Sequence, residues 1–428
     1  MALRLYRTLL WLATPLVLVR LWWRGRIEPA YRRRIGERLG VVEVADARPV
    51  IWFHAVSAGE VIAAAPLIRR IAERYPSRQV LVTTMTPTGA DQVARLLGDT
   101  AIHRYAPYDM TFSVVRFLRA VRPSVLVLME TELWPNLIHL TAKQQIPMYL
   151  INARLSARSA RGYQRFAALS KPMLAELTHI SCQYPDHAKR FRDLGVLPQR
   201  LSVAGNLKFD RTIPHDLRVQ SDALVRCCQL HDRLVWLAAS THGGEESQIL
   251  QGFERLRQKL PQLQLILAPR HTHRAFELEG LTASFGYTSA RLSVATNAPL
   301  DRPVDVVIAD QMGVLLPLYD LADVAFVGGS LIEFGGQNPI EPALVCTPVV
   351  SGLHCFNFTE IVAQLTTAGA MYQVATVDEL AAITYKLLSE PELRQSCGAA
   401  GYAAAAANRG ASERVAQQLI EFIGDAAQ

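Results

Sequence analysis

The residues able to do chemistry in this sequence are carboxylates, cations and glycine-rich turns placed just after short apolar runs. The run Val50–His54 ends in His-Ala-Val-Ser-Ala-Gly-Glu, carrying His54, Ser57, Gly59 and Glu60 into the helical pattern Gly59–Arg74. A turn of small residues before a helix lets backbone N–H groups approach a ligand. Glu60 has two readings there. Ser57 and Glu60 have capping-box spacing, in which the carboxylate only completes the helix start. Beside a substrate, the same carboxylate takes a proton from a hydroxyl. The run Ser124–Met129 is followed by Glu130-Thr131-Glu132-Leu133-Trp134-Pro135. Glu130 follows directly and is the better site candidate, whereas Glu132 suits a cap. No histidine or aspartate cluster flanks them, which argues against a metal site. Lys208, in Asn206-Leu207-Lys208-Phe209-Asp210, suits a phosphate or carboxylate partner or a solvated linker, and Arg154 and Arg158 allow the same two readings.

The second half holds Ser240-Thr241-His242-Gly243-Gly244-Glu245-Glu246, Pro269-Arg270-His271, Gly328-Gly329-Ser330 and Phe334-Gly335-Gly336-Gln337-Asn338-Pro339-Ile340-Glu341-Pro342-Ala343. Each puts small residues or an arginine where a phosphate meets a helix start. Glu341 suits the two hydroxyls of a ribose, or is simply a helix-start glutamate. The sequence lacks the P-loop pattern, a G-x-G-x-x-G after the first strand, an Asp-x-Asp clamp and a G-x-S-x-G elbow. These absences argue against a P-loop ATPase, a dinucleotide oxidoreductase and an α/β-hydrolase.

The elements that must position these residues alternate. Strands are expected at Val50–His54, Gln79–Thr84, Ser124–Met129, Pro147–Ile151 and Leu201–Ala204, with helical stretches such as Met110–Val121 between them. The pattern restarts at Leu234–Ala239, Leu263–Ala268, Val304–Ala309, Val324–Gly328 and Pro348–Ser351. Such alternation predicts two doubly wound α/β domains with parallel sheets. Ligands of these folds bind outside the carboxyl ends of the strands, so both sheets are expected to face one cleft. The expected division is an N-terminal segment over 1–30, a first domain over 31–205, a linker over 206–232 and a second domain over 233–428. The last helix is free to pack back on the first domain.

The 428 residues are half hydrophobic, which excludes a disordered chain, and the six cysteines show no metal or disulfide spacing. The net charge of +7 is local. Residues 1–40 hold nine of the 45 bases and two of the 38 acids, leaving 36 of each elsewhere. No general nucleic-acid surface follows. The apolar run 8–19 is flanked by arginines and followed by Trp22 and Trp23. It falls short of the roughly 20 residues a spanning helix needs, and Arg20 interrupts it. The expectation is a short anchor at a membrane interface, facing anionic lipid.

Taken together, the basic anchor, HAVSAGE, METELWP, GNLKFD, the STH-G-EE loop, APRH and GGQNPIEPA make the chain resemble the 3-deoxy-D-manno-octulosonic acid (Kdo) transferases of lipopolysaccharide assembly. The resemblance runs over nearly the whole chain. It implies a GT-B fold, with two Rossmann-like domains around a cleft. It also implies an inverting glycosyltransferase without metal or cofactor, monotopic on the cytoplasmic face of the inner membrane. The implied donor is CMP-Kdo and the implied acceptor the tetra-acylated lipid A precursor. On this resemblance Glu60 is the general base, and Glu130 and Lys208 stabilise the transition state. Pro269, Arg270, Met312, Gly313, Val314, Asn338, Pro339, Ile340 and Glu341 contact CMP. Two positions depart from the family pattern. Val314 stands where glutamate is common, and Gln337 where histidine is common. Alternative readings are another GT-B nucleotide-sugar transferase acting on a membrane lipid, a UDP-sugar epimerase of the same architecture, and a membrane-docked nucleotide-binding protein without turnover.

Overall fold

Strands buried on both faces read as unbroken apolar runs, and the sheets of this protein are built from such strands at their centres. In this computed structural model residues 1–43, 46 and 48–425 are described. The chain forms two units, Met1–Arg211 with Asn408–Gln428, and Thr212–Ala407.

The first unit contains β1 (Val50–His54), β2 (Gln79–Thr84), β3 (Ile102–Tyr105), β4 (Pro123–Met129), β5 (Met148–Ala153), β6 (His179–Cys182) and β7 (Leu201–Val203). They form one parallel sheet in the order β3-β2-β1-β4-β5-β6-β7. Side chains alternate across it. Ile51 and Phe53 enter a core with helices Ala58–Arg74 and Ala411–Asp425, while Val50 and Trp52 enter another with helix Thr111–Val121. The C-terminal helix Ala411–Asp425 therefore belongs to this unit. Asp210 secures its start, accepting from the Gly410 amide at 2.6 Å and from the Ser412 amide.

The second unit contains β8 (Val235–Thr241), β9 (Gln264–Pro269), β10 (Ser289–Arg291), β11 (Val306–Ile308), β12 (Val324–Val327), β13 (Val349–Gly352) and β14 (Met371–Val374). Their order is β10-β11-β9-β8-β12-β13-β14, again all parallel. The stretch expected to be a strandless linker carries helix Leu217–Cys227, packed on helix Leu315–Leu321. Four strands escape the sequence pattern: β3, β6, β10 and β14. Three of these are edge strands, only partly buried, so their sequences Ile-His-Arg-Tyr, Ser-Ala-Arg and Met-Tyr-Gln-Val lack an apolar run.

In each sheet the strand order reverses at one place, between β1 and β4 and between β8 and β12. Helices leave opposite faces there and open a crevice at the carboxyl edge. At the second crevice the chains come very close. A Cβ on Gly328 would stand 2.7 Å from both the Ser240 carbonyl oxygen and the Thr241 Cα. Gly328→Ala must push β8 and β12 apart and is expected to cost about 1–3 kcal/mol, read as a lowered midpoint in urea.

The expected N-terminal helix is present and is longer than the apolar run 8–19 that marks it in the sequence. It runs from Ala2 to Ile27, 26 residues, straight through Arg20. Over Ala2–Arg26 it is long and apolar enough to cross a membrane, with mean hydropathy 1.4. Arg20 does not end it because a helix interior accepts arginine readily. One stripe of it, through Tyr6, Leu10, Val17 and Leu21, faces the first unit and is partly or wholly covered. Tyr6 donates to Asp109 Oδ2 at 2.7 Å, and Arg7 Nε donates to Asn136 Oδ1 at 2.7 Å. The opposite stripe, including Leu5, Leu9, Leu12, Leu16 and Trp23, is exposed.

Candidate active site

Glu60 and Glu130 follow β1 and β4, the two strands that flank the crevice of the first sheet. Ser57 is the N-cap of helix Ala58–Arg74 and its Oγ accepts the Glu60 amide at 3.3 Å. In return Glu60 Oε1 accepts the Ser57 hydroxyl at 2.8 Å, and Oε2 accepts the Val56 amide at 3.0 Å. The capping arrangement legible in the sequence is therefore present, but it does not exhaust the residue. Glu60 is only 8% exposed. Burial, reinforced by the charges of Glu130 and Glu132, pushes its carboxyl up to about 8 against the pull of those two hydrogen bonds. A carboxyl poised there exchanges protons near neutral pH, as a general base must.

Glu130 sits at φ 49°, in the left-handed region, so the backbone turns sharply where β4 ends. Its Oε1 lies 2.7 Å from Lys208 Nζ in a mostly covered ion pair, and Asn152 Nδ2 stands 3.4 Å away. Asn152, at the end of β5, also has a left-handed backbone (φ 51°), and its Oδ1 accepts the Leu207 amide at 3.0 Å. It ties the segment bearing Lys208 to the β4–β5 edge. Sequence reasoning missed Asn152, because an asparagine inside an apolar run carries no signal of its partners. Lys208 itself lies in the first unit, on the short helix Leu207–Asp210, and not on a linker. Glu132 accepts the Trp134 indole N–H at 2.9 Å, and burial pushes its carboxyl up to about 7. His54 is fully buried. Its Nδ1 is 2.9 Å from Thr83 Oγ1, and burial drives its pKa down to about 3, so it stays neutral.

In the second unit Pro269, Arg270, Met312, Gly313 and Val314 line one cavity of about 80 Å³ with Ser240. Arg270 is exposed at the end of β9, and Gly313 has a φ of 85°. Val314 precedes helix Leu315–Leu321. Asn338, Pro339, Ile340 and Glu341 lie outside that cavity, at the start of helix Ile340–Leu344, which packs on helix Leu315–Leu321. Asn338 Oδ1 accepts the Ile340 amide at 3.1 Å and its Nδ2 stands 3.4 Å from Glu341 Oε1. Gln337 Nε2 is 3.2 Å from His242 Nε2, and the His242 ring stacks on Phe334 at 4.0 Å. Among the described residues no group of three or more His, Cys, Asp or Glu side chains converges as a metal site.

Glu245 is a positioning residue that sequence reasoning passed over as part of a loop. It is fully buried, and its two oxygens accept four backbone amides. Oε2 takes His242 N at 2.9 Å and Gly329 N at 2.7 Å, and Oε1 takes Ser330 N at 2.9 Å and Leu331 N at 3.0 Å. One carboxylate thus binds the loop after β8 to the loop after β12. Glu245→Gln replaces one oxygen with an NH₂ facing amide donors. It is expected to lower stability by about 1–3 kcal/mol, measured by denaturant titration.

The epimerase of UDP-GlcNAc from Neisseria meningitidis has a similar solved structure, with a TM-score of 0.60 over 88% of this chain and 100% of its own at 15% identity. Two doubly wound units of this kind define the GT-B class of fold. Residues 33–211 match the family model described as 3-deoxy-D-manno-octulosonic-acid transferase (kdotransferase). The 3-deoxy-D-manno-octulosonic acid transferase of Haemophilus influenzae is 39% identical over 98% of each chain. That of Bordetella pertussis is 33% identical over 96% of this chain and 97% of its own. The chain belongs to the Kdo transferase family of glycosyltransferases.

Proposed function

We propose that this enzyme moves Kdo from CMP-Kdo to the tetra-acylated lipid A precursor, with inversion and with Glu60 as general base. The observation that carries this reading is Glu60 itself, a buried carboxyl at a strand-end helix start, raised to about 8 by burial and by the charge of Glu130, which in turn pairs with Lys208. The second unit holds the donor, with CMP against Arg270, the turn Met312–Val314 and the segment Asn338–Glu341. Glu60 removes the proton from an acceptor hydroxyl. That oxygen attacks the anomeric carbon from the face opposite CMP, and the C–O bond to CMP breaks with its electron pair leaving on the phosphate. Lys208, held by Glu130, balances the sugar carboxylate and the charge developing on the phosphate. These cations supply the positive charge that a metal provides in other transferases. The departures at Val314 and Gln337 fit this scheme, since a backbone contact at 314 needs no carboxylate and Gln337 still meets His242.

The N-terminal helix places the enzyme at its lipid substrate, monotopic on the cytoplasmic face of the inner membrane. A helix tied along one stripe to a folded unit, with its other stripe apolar and open, suits the membrane interface better than a crossing. Its arginines then face anionic lipid. The test is incubation of the detergent-solubilised protein with freshly made CMP-Kdo and the acceptor in the presence of EDTA. A mass gain of one or more Kdo units on the lipid, with release of CMP, is expected. No gain beside a working control enzyme would leave another nucleotide sugar as donor, and nucleotide binding without any release of CMP would leave a binding protein.

A further inference from the structure

Between the N-terminal helix and the first unit lies a cavity of about 290 Å³, near the lower end of small-molecule sites. It has two different ends. At one, Arg7 donates through Nε to Asn136 Oδ1 at 2.7 Å, while its Nη2 is buried and meets no hydrogen-bond partner among the described residues. At the other, the Thr14 hydroxyl donates to the Leu10 carbonyl at 2.9 Å and meets Met110 Sδ at 3.6 Å. Leu10, Trp11, Met110 and Phe112 supply the apolar wall.

We propose that this cavity holds one acyl chain of the lipid acceptor, with an anionic group of the same molecule on Arg7. The inference rests on the acceptor being a lipid, as proposed above. Three observations carry it. A buried guanidinium nitrogen without a partner is costly, and an anionic oxygen is the acceptor it lacks. The cation stands at one end only, so the cavity matches the polarity of an amphiphile. That end is joined through Asn136 to the strand-end loop that carries Glu130. Asn136 opens helix Pro135–Lys143 directly after the segment Glu130–Trp134, and Asp109, which receives Tyr6, also accepts the Asn136 and Leu137 amides at 3.0 and 2.7 Å. The docked helix thus meets the carboxyl-edge loops after β3 and β4, and an amphiphile lying along it directs its headgroup toward Glu130. Trp11 and Phe112, 72% and 43% exposed, continue the apolar wall outward to the open stripe of the helix, so a chain can enter from a bilayer.

The test uses the full-length protein in detergent and an acceptor carrying a diazirine midway along one acyl chain. It is irradiated without donor, and the labelled residues are mapped by mass spectrometry. Labelling of Leu10, Trp11, Met110 or Phe112 is expected, displaced by unlabelled acceptor but not by an equal excess of phosphatidylglycerol. Thr14→Trp, which fills the cavity, should raise the acceptor KM about tenfold or more, a 1.4 kcal/mol loss of binding, with CMP affinity unchanged as the check on folding. If Thr14→Trp fails that check, Arg7→Gln provides the same comparison. Label confined to Leu5, Leu9, Leu12 and Leu16, or equal displacement by phosphatidylglycerol, would overturn the proposal. Because the labelling needs no turnover, a failure to transfer Kdo would count against the proposed function and not against this site.

Discussion

Glu60→Gln is expected to reduce Kdo transfer by about 100- to 10,000-fold, the range associated with loss of a general base, while leaving CMP affinity intact. Glutamine preserves the shape and can still bond to Ser57 and Val56, so the helix start survives. The pH dependence separates a base from a cap. With its carboxyl raised to about 8, Glu60 is mostly protonated at pH 7. The wild-type kcat/KM should therefore rise about tenfold per pH unit below that value and level off above it. The variant should lose that limb. Stability should move the opposite way. The native state keeps a proton on Glu60 that the unfolded chain releases from about 4.5 upward. Stability contributed by this group is therefore full below that pH and lost as pH rises toward 8. Denaturation midpoints measured across this window should fall for wild type and fall less for Glu60→Gln. A wild-type rate that is flat from pH 6 to 9 would remove Glu60 from the role of base.

Lys208→Met has the second large effect. It should lower turnover by about 100- to 1,000-fold, as expected when a charge aimed at the transition state is removed. It also leaves the mostly covered Glu130 without its cation, and such a loss costs about 1–3 kcal/mol of stability. The double variant Glu130→Gln with Lys208→Met distinguishes the two roles. It should recover much of the stability, because no unpaired charge remains, and recover none of the turnover. If turnover returns with stability, the pair is structural and Lys208 does not meet the substrate.

How much of this was legible in the sequence differs by element. The central strands β1, β2, β4, β8 and β9 could be read because burial on both faces demands an unbroken apolar run. The edge strands β3, β10 and β14 could not, because a half-exposed strand tolerates His103, Arg104 or Arg291 in its pattern. The run 8–19 underestimated the N-terminal helix because hydropathy marks where a segment is apolar, and not where its backbone hydrogen bonds stop. Glu60 could be singled out because capping is local, set by residues three apart.

Two doubly wound units could be read from the sequence alone, since periodicity and turn residues act over a few positions. Tertiary structure alone decided which distant groups meet. It pairs Glu130 with Lys208, gathers four amides on Glu245, and sets Arg7 beside Asn136 in a cavity under the N-terminal helix. It also raises Glu60 to about 8, because that shift comes from lost solvent and from neighbouring charges on another strand's loop. Desolvation and charge pairing depend on three-dimensional distance, which local sequence patterns do not encode.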